Sequence, residues 1–263
     1  RRQSGASDVS AAVKICGIRD AGTLAAVAEL PVEYAGFVFA QSRRKVNADE
    51  AAAMMEPWLA KEDGRRPSFV GVFVNPAMDE LEQILRRAPL DVVQLHGEET
   101  PEFCREVRER FGVKVWKVFS VTNAVSDSNA DADRDSETSH ADAAGAPLPA
   151  DTSAKRLSHE KTVNDRLLPY CGAIDGIMLD HGKGGTGTTF SWDLLPPYRE
   201  FASSHGLPLI VAGGLDAGNV GILLDAHRPD VVDVSSGVET DGIKDKDKIR
   251  AFVGKVKSVG HVS

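Results

Sequence analysis

Lys14 and Cys16 are the first two side chains in this sequence whose types and spacing could do chemistry. They lie in the run VKIC at residues 13–16, and because side chains alternate along a strand, both would face the same side. A cation beside a thiol lowers the thiol pKa and enriches the thiolate, which can act as a base or a nucleophile. The alternative is that Cys16 is a small buried hydrophobic side chain, the more common fate of a free cysteine.

A third candidate is the aspartate that ends the run DGIMLD at residues 175–180. Strand alternation puts Asp180 on the same face as Met178, and a carboxylate at a strand end is either an acid–base group or a cap of the following turn. Four glycines then fall within residues 182–187, where the backbone could approach a ligand or close as a lid. The combination indicates a functional turn more strongly than the glycines alone.

Two turns of small residues follow the last two apolar runs, in LIVAGGLD (209–216) and VVDVSSGVE (231–239). Unpaired backbone N–H groups in such turns can bind phosphate, whereas two ordinary tight turns would have a similar composition. Their occurrence at both runs favours a phosphate site. The residues concerned are Gly213, Gly214, Ser235, Ser236 and Gly237.

Other polar residues lie at the ends of other apolar runs. Arg43 and Arg44 follow the second run, where a guanidinium could grip a carboxylate with two hydrogen bonds or belong to a solvated basic loop. Gln94 and His96 lie in QLHGEE, and the histidine could be a ligand, an acid–base group or a structural residue. No second His or Cys lies at ligand spacing, so we expect no metal site.

Repeated strand and helix patterns must position these residues. From residue 13 onward, eight short apolar runs alternate with longer amphipathic segments, which is typical of βα units with a parallel sheet. Such units predict a single (β/α)8 TIM barrel, whose active site lies at the carboxyl ends of the strands and whose seventh and eighth loops often bind phosphate. The alternative is an open doubly wound sheet, but no predicted strand leads into G-x-G-x-x-G or G-x-x-x-x-G-K-[ST]. The predicted strands are 13–16, 34–39, 68–73, 92–95, 113–118, 176–179, 207–211 and 231–234.

Closure of such a barrel would bring the last strand beside the first. Asp233 shares a strand face with Ser235 and would then be able to pair with Lys14 inside the barrel. If Asp233 were instead the proton donor in place of Asp180, Asp233→Asn would abolish turnover and Asp180→Asn would spare it.

Residues 120–165 interrupt the βα rhythm. These 46 residues contain no aromatic residue, no Ile and only two Leu, so they cannot bury enough apolar surface to offset their ordering entropy. We expect a largely disordered insertion between the fifth and sixth strands, without a function of its own and returning as a helix near 158–168. Residues 1–12 are interpreted as a leader or linker, and 13–263 as the barrel domain.

Composition limits the partners and the compartment. With 31 Lys and Arg against 39 Asp and Glu, the net charge is −8, which argues against nucleic acid or an anionic membrane as the main partner. Three widely spaced cysteines do not form a disulfide framework, so a reducing cytoplasm is expected. We find no apolar stretch long enough to span a membrane and no secretory signal.

Seven motifs occur in one order along the chain. They are KICGI (14–18), GFVFAQSRR (36–44), GVFVN (71–75), VVQLHGEE (92–99), LDHGKGGTGTTFSW (179–192), AGGLDAGNV (212–220) and DVSSGVETDGIKD (233–245). In sequence and order they resemble the phosphoribosylanthranilate isomerases of tryptophan biosynthesis. The resemblance covers nearly everything except the leader and residues 120–165.

This resemblance implies an aldose–ketose isomerase that needs no metal or redox cofactor. The implied reaction is the Amadori rearrangement of N-(5-phosphoribosyl)anthranilate, a small phosphosugar, to 1-(2-carboxyphenylamino)-1-deoxyribulose 5-phosphate. The resemblance also implies Asp180 as general acid, Cys16 as general base and Arg44 as the holder of the anthranilate carboxylate. The turns after strands 7 and 8 match the family phosphate site, while Gln94 and His96 match a family turn without an assigned role.

Two other functions stay open at this point. The histidine-pathway isomerase runs the same rearrangement, but its catalytic pair is typically two aspartates, which Cys16 argues against. A binding or scaffolding barrel without turnover is the other alternative, and the presence of both Cys16 and Asp180 argues against it. Fungal members of the family are often the C-terminal domain of a multifunctional tryptophan-pathway enzyme, so the start RRQSGASDVS predicts a domain fused to others.

Overall fold

Eight parallel strands close into one barrel in the computed structural model, which describes residues 10–61, 65–121, 152–181 and 191–259. Each strand pairs with the next in the chain, and β8 pairs with β1, where Lys14 lies opposite Asp233. The predicted (β/α)8 barrel is confirmed, and the open sheet is excluded. The strands are β1 (Ala12–Cys16), β2 (Tyr34–Val38), β3 (Ser68–Phe73), β4 (Val92–Leu95), β5 (Lys114–Val121), β6 (Gly176–His181), β7 (Leu209–Val211) and β8 (Val231–Val234).

Helices alternate with these strands along the chain. Side chains at the helix starts accept backbone N–H groups: Asp20 caps the first helix, and Asn47 and Glu50 form a capping box at the second. No helix in the described part of the chain combines the length and hydropathy needed to cross a bilayer. The helices are α1 (Ala21–Ala28), α2 (Ala48–Leu59), α3 (Met78–Arg87), α4 (Pro101–Phe111), α5 (Thr152–Leu167), α6 (Leu195–Ser204), α7 (Val220–His227) and α8 (Lys246–Ser258).

The structure differs from the predicted boundaries around the polar segment. β5 continues to Val121, which lies opposite His181 of β6, and α5 begins at Thr152, well before residue 158. The predicted insertion included residues 120 and 121, but both pair with β6 and therefore belong to β5. The predicted insertion is therefore shorter at both ends, and its remainder, 122–151, lies outside the described residues.

The interior of the barrel is packed with apolar side chains. Tyr34 and Trp116 meet edge to face with 4.8 Å between ring centroids. Cys16, Val38 and Val72 form a separate small cluster toward the carboxyl ends of the strands. A filled interior leaves the strand ends as the place for chemistry. The larger inward-facing cluster comprises Val70, Val92, Trp116, Val118, Met178, Ile210, Ala212 and Val231.

A two-stranded hairpin that the sequence analysis did not predict follows β8. A single 3₁₀ turn, Ser236–Val238, leads into β9 (Glu239–Thr240), which pairs in antiparallel fashion with β10 (Ile243–Lys244). The register sets Lys244 opposite Glu239. The hairpin thus brings the Lys244 ammonium and the Glu239 carboxylate together just after the carboxyl end of β8.

Candidate active site

A buried ion pair joins the first and last strands of the barrel. Lys14 has no exposed surface, and its Nζ donates a 2.8 Å hydrogen bond to Oδ1 of Asp233. This is the pair expected from closure of the barrel. Burial lowers the pKa of Lys14, but its interactions with Asp233 and Cys16 raise that pKa by more, so the net shift is upward. Lys14 therefore keeps its positive charge inside the barrel.

Cys16 ends β1 beside this pair. Its side chain is almost completely buried, and it packs against Val38 and Val72. Burial raises the pKa of the Cys16 thiol, and the charge of Lys14 lowers it by less, so the net pKa lies above its ordinary value. Lys14 therefore lowers the thiol pKa as expected, but by too little to make the thiolate the enriched form. The charge of Lys14 stabilises the thiolate by less than burial destabilises it.

β2 approaches Cys16 so closely that the position opposite must be small. Gly36 is the strand partner of Cys16, and a Cβ at Gly36 would come within 3.0 Å of Sγ and 3.1 Å of Cα of Cys16. Gly36 is not among the residues predicted from the sequence to belong to the site. The available signal was a glycine inside an apolar strand, which often marks a close approach.

Asp180 and His96 meet across the mouth of the barrel. Asp180 is nearly buried at the end of β6, and its Oδ2 lies 3.4 Å from Nε2 of His96. Burial lowers the pKa of His96, and the charges of Lys14 and Lys117 lower it further, so the imidazole is neutral near pH 7. His96 thus faces the predicted acid as an uncharged group. The glycine-rich segment predicted to follow Asp180 lies outside the described residues, from 182 to 190.

A second buried ion pair, which the sequence analysis missed, fastens the turn that carries His96. Nζ of Lys117 lies 3.2 Å from Oε2 of Glu99, and the two side chains are 4% and 2% exposed. The same Nζ donates to the carbonyl oxygen of Gly97 at 2.7 Å, and Glu99 accepts the N–H of Gly97 at 2.9 Å. The pair therefore fixes the backbone next to His96. A lysine inside the apolar strand KVWKVF was the only signal.

Arg44 is bound by a carboxylate of the chain itself. Its Nε and Nη2 donate to Oε1 and Oε2 of Glu239 at 2.7 and 3.0 Å. Arg43 Nη2 and Lys244 Nζ also donate to this carboxylate, each at 2.8 Å. Burial opposes the charge of Glu239, but hydrogen bonds from Arg44 and Lys244 lower its pKa to about 2. Both arginines were predicted site residues, whereas Glu239 and Lys244 were not, although both lie in DVSSGVETDGIKD.

The small-residue turns after β7 and β8 lie against each other. Gly213 and Gly214 have φ values of 91° and 66°, a backbone conformation that favours glycine. A Cβ at Gly237 would come within 1.8 Å of the carbonyl oxygen of Leu215, so no larger residue fits there. Ser236 is half-buried beside them. All five predicted phosphate-binding residues therefore lie on two touching turns.

The side chain of Ser235 links its turn to the first strand. Its hydroxyl donates to the carbonyl oxygen of Cys16 at 3.1 Å, and Lys244 donates to the carbonyl oxygen of Ser235 at 2.8 Å. The side chain thus ties the turn after β8 to the end of β1. This contact fixes the position of the predicted phosphate-binding turn relative to the predicted base.

Gln94 is buried inside the barrel on β4. It is 2% exposed, and its Oε1 has no hydrogen-bond partner among the described residues. No group of three or more His, Cys, Asp or Glu side chains within the described ranges is arranged to hold a metal ion.

Comparison with known proteins decides the family. The family model for N-(5'-phosphoribosyl)anthranilate isomerase matches residues 13–142 and 149–255. The chain belongs to this family. Within the predicted insertion, the match leaves out residues 143–148. As a member, the chain is an aldose–ketose isomerase of tryptophan biosynthesis that converts N-(5-phosphoribosyl)anthranilate to 1-(2-carboxyphenylamino)-1-deoxyribulose 5-phosphate.

Individual relatives agree with the family model. The N-(5'-phosphoribosyl)anthranilate isomerase of Brevibacillus brevis is 41% identical over 250 residues, which cover 94% of this chain and 93% of that protein. A monomeric form of the dimeric isomerase from Thermotoga maritima superposes with a TM-score of 0.68 at 31% identity, covering 94% of this chain and 99% of that one. A phosphoribosylanthranilate isomerase solved with reduced 1-(o-carboxyphenylamino)-1-deoxyribulose 5-phosphate gives a TM-score of 0.66 at 29% identity, with coverage of 94% and 99%.

Proposed function

We propose that the mouth of this barrel performs the isomerisation by general acid–base catalysis, with Asp180 as the acid and Cys16 as the base. The observation that carries the proposal is the position of the two groups. Both are buried at the carboxyl ends of strands, on β6 and β1, which are separated by two strands around the closed barrel. A substrate held across the mouth can therefore present its ring oxygen to one group and its C2 proton to the other.

Ring opening is the first step. Asp180 donates its proton to the ribose ring oxygen as the C1–O bond breaks, and the lone pair of the anilino nitrogen forms the C=N bond of an iminium. His96 lies 3.4 Å from the Asp180 carboxyl and is uncharged. We infer that His96 orients this carboxyl for the proton transfer.

Proton abstraction from C2 is the second step. The thiolate of Cys16 takes the proton, the C–H electrons form the C1=C2 bond of an enolamine, and the nitrogen recovers its lone pair. The enolamine then tautomerises to the ketone. Lys14 supports this step because its positive charge offsets part of the cost of a buried thiolate.

The substrate carries an anion at each end. We propose that Arg44 binds the anthranilate carboxylate, since its side chain is 10% exposed at the mouth whereas that of Arg43 is 57% exposed. The phosphate is proposed to bind the turns after β7 and β8, whose backbone N–H groups can converge on an anion. The residues of this proposed subsite are Gly213, Gly214, Ser235, Ser236 and Gly237.

Loss of phosphoribosylanthranilate fluorescence tests the catalytic assignments. We expect Cys16→Ala and Asp180→Asn each to reduce kcat by a factor of about 100 or more, as removal of a general acid or base does. Cys104→Ala is the matched control, because Cys104 is buried on α4 and its pKa, raised to about 12 by burial, keeps it inert. Full activity of either catalytic variant would refute the mechanism.

Asp233 is the competing candidate for the acid. Its Oδ1 already accepts a hydrogen bond from Lys14, which favours a role in holding that lysine. Asp233→Asn should therefore retain more activity than Asp180→Asn in the same assay. The reverse order would make Asp233 the proton donor.

Partners and compartment belong to the proposal as well. We expect a phosphosugar substrate as the partner, no nucleic acid or membrane, and a cytoplasmic location, which the three free cysteines support. Fusion to other tryptophan-pathway domains stays a prediction. The mass of the native polypeptide tests it, since a free chain of about 28 kDa would contradict it.

A further inference from the structure

Glu239 occupies one edge of the Arg44 guanidinium. A guanidinium has five N–H donors in a planar fork, and Glu239 accepts one from Nε and one from Nη2. No other side chain or carbonyl in the described part of the chain accepts a hydrogen bond from the rest of the fork. Such a bidentate pair fixes the plane of the guanidinium as well as its position.

Glu239 is itself held from the other side. Nζ of Lys244 donates to Oε1 of Glu239 at 2.8 Å, and Nζ of Lys248 donates to its carbonyl oxygen at 2.8 Å. Side-chain exposure is 4% for Lys244 and 5% for Glu239, so the carboxylate sits on a buried support. The β9–β10 hairpin therefore holds the Glu239 carboxylate in place against Arg44, in the loop that follows β2.

The charges around Glu239 leave a local positive excess. Arg43, Arg44 and Lys244 carry three positive charges against one negative charge. This excess lies in a chain of net charge −8. An anionic substrate group that reaches Arg44 thus meets a positive field even though the protein as a whole repels anions.

Arg44 also lies directly over the turn that follows Cys16. Gly17 has φ +84°, and a Cβ there would come within 2.5 Å of Cδ of Arg44 and 3.3 Å of Oγ of Ser235. The guanidinium is therefore anchored next to the proposed base. A shift of Arg44 would move a bound carboxylate relative to the thiol of Cys16.

We propose that Glu239, supported by Lys244, is a positioning residue that orients Arg44 to bind the substrate carboxylate. The proposal rests on the assignment of Arg44 under Proposed function. The competing interpretation is that Glu239 occupies Arg44 in place of the substrate and must be displaced before the carboxylate binds. The two interpretations predict opposite effects on substrate affinity when Glu239 loses its charge.

Steady-state kinetics of Glu239→Gln separate these interpretations. If Glu239 orients Arg44, the KM should rise about tenfold, the effect of losing roughly 1.4 kcal/mol of binding, with kcat changed by no more than about twofold. Glu239→Asp, which retains the charge, should recover part of the loss. A lower KM for Glu239→Gln would show competition and overturn the proposal, as would an unchanged KM.

Binding of two product analogues tests whether Glu239 acts through Arg44. The probes are reduced 1-(o-carboxyphenylamino)-1-deoxyribulose 5-phosphate and its counterpart without the carboxylate, titrated by calorimetry against the parent, Arg44→Met, Glu239→Gln and the double variant. We expect both single variants to lose the preference for the carboxylate-bearing analogue, and Glu239→Gln to have little further effect in the Arg44→Met background.

The outcomes of this titration distinguish the two proposals. Loss of the preference in Arg44→Met but not in Glu239→Gln would overturn the role of Glu239 and leave the assignment of Arg44 intact. Retention in both would overturn the assignment of Arg44 itself. Asp91→Asn is the matched control, because it breaks another bidentate arginine–carboxylate pair, with Arg66, at the amino end of β4. Asp91→Asn should bind both analogues as the parent does. If it lost the preference for the carboxylate-bearing analogue as Glu239→Gln does, the effect of Glu239→Gln would be general destabilisation and the proposal would be overturned.

Discussion

The protonation of one thiol is the central issue at the residue scale. Cys16 has to be deprotonated to act as a base, yet burial raises its pKa and only part of that rise is offset by Lys14. Near pH 7 the proposed base is therefore mainly in the thiol form, and the thiolate fraction increases with pH. Lys14 in turn needs Asp233, since an unpaired buried ammonium would lose its proton.

Titration of the Cys16 thiol tests this balance. The absorbance difference at the thiolate band between the parent and Cys16→Ser should show a midpoint above about 8.5, the value of an unperturbed thiol. Lys14→Met should move the midpoint higher, because the positive charge that lowers the pKa is gone. Burial opposes the charged form of the thiol and so raises its pKa. Below that pKa the thiolate fraction, and with it kcat/KM, should increase as the pH rises. A midpoint below that of a free thiol would mean that charge outweighs burial.

At the element scale, buried ion pairs fix the loops that carry candidate functional groups. Lys117 on β5 and Glu99 in the loop before α4 hold the turn around His96. The β9–β10 hairpin plays the corresponding part for Arg44. In both cases a strand-borne or hairpin-borne charge determines where a loop residue lies.

The Lys117–Glu99 pair should show strong coupling. Lys117→Met leaves Glu99 buried without its counter-charge, and we expect a loss of about 3 to 5 kcal/mol in the free energy of unfolding. The double variant Lys117→Met/Glu99→Gln should recover a large part of that loss, because no buried charge is then unpaired. Urea unfolding of the four proteins measures the cycle, with the exposed neighbour Glu98→Gln as control. Additive effects of the two single changes would show that the pair does not act as a unit.

At the scale of the whole molecule, the two ends of the barrel have different roles. The proposed catalytic groups lie at the carboxyl ends of the strands, whereas the amino ends carry contacts that tie strands together. Asp91 illustrates the latter: it accepts two hydrogen bonds from Arg66, at 2.6 and 3.0 Å, and one from the N–H of Phe69 at 2.6 Å. Conservative changes at this end should affect stability and leave catalysis alone.

Asp91→Asn tests this division. We expect a loss of about 1 kcal/mol in the free energy of unfolding at pH 7, with KM and kcat unchanged. Burial raises the pKa of Asp91, but the hydrogen bond from Arg66 and further favourable contacts lower it by more, so its stabilising effect is present above the pKa of about 3.9 of an unfolded aspartate. The stability difference between parent and variant should therefore shrink as the pH falls below 4. A difference that grows toward acid pH, or a changed KM, would contradict the division.

Local patterns in the sequence determined much of this protein. The alternation of apolar strands and amphipathic helices predicted the eight-stranded barrel, and residues at strand ends, including Cys16, Asp180 and Arg44, identified the mouth and the family. These features are readable because strand and helix periodicity and the position of a residue within a strand are local properties.

Only the tertiary structure decided how these residues are charged and held. Glu239 meets Arg44 across 195 positions of sequence, and the Lys14–Asp233 pair requires closure of β8 on β1. The direction of the Cys16 pKa depends on burial, which exists only once the barrel has closed around the thiol. The physical reason is that desolvation and Coulomb interactions depend on distances between chain segments, and spacing along the sequence does not contain those distances.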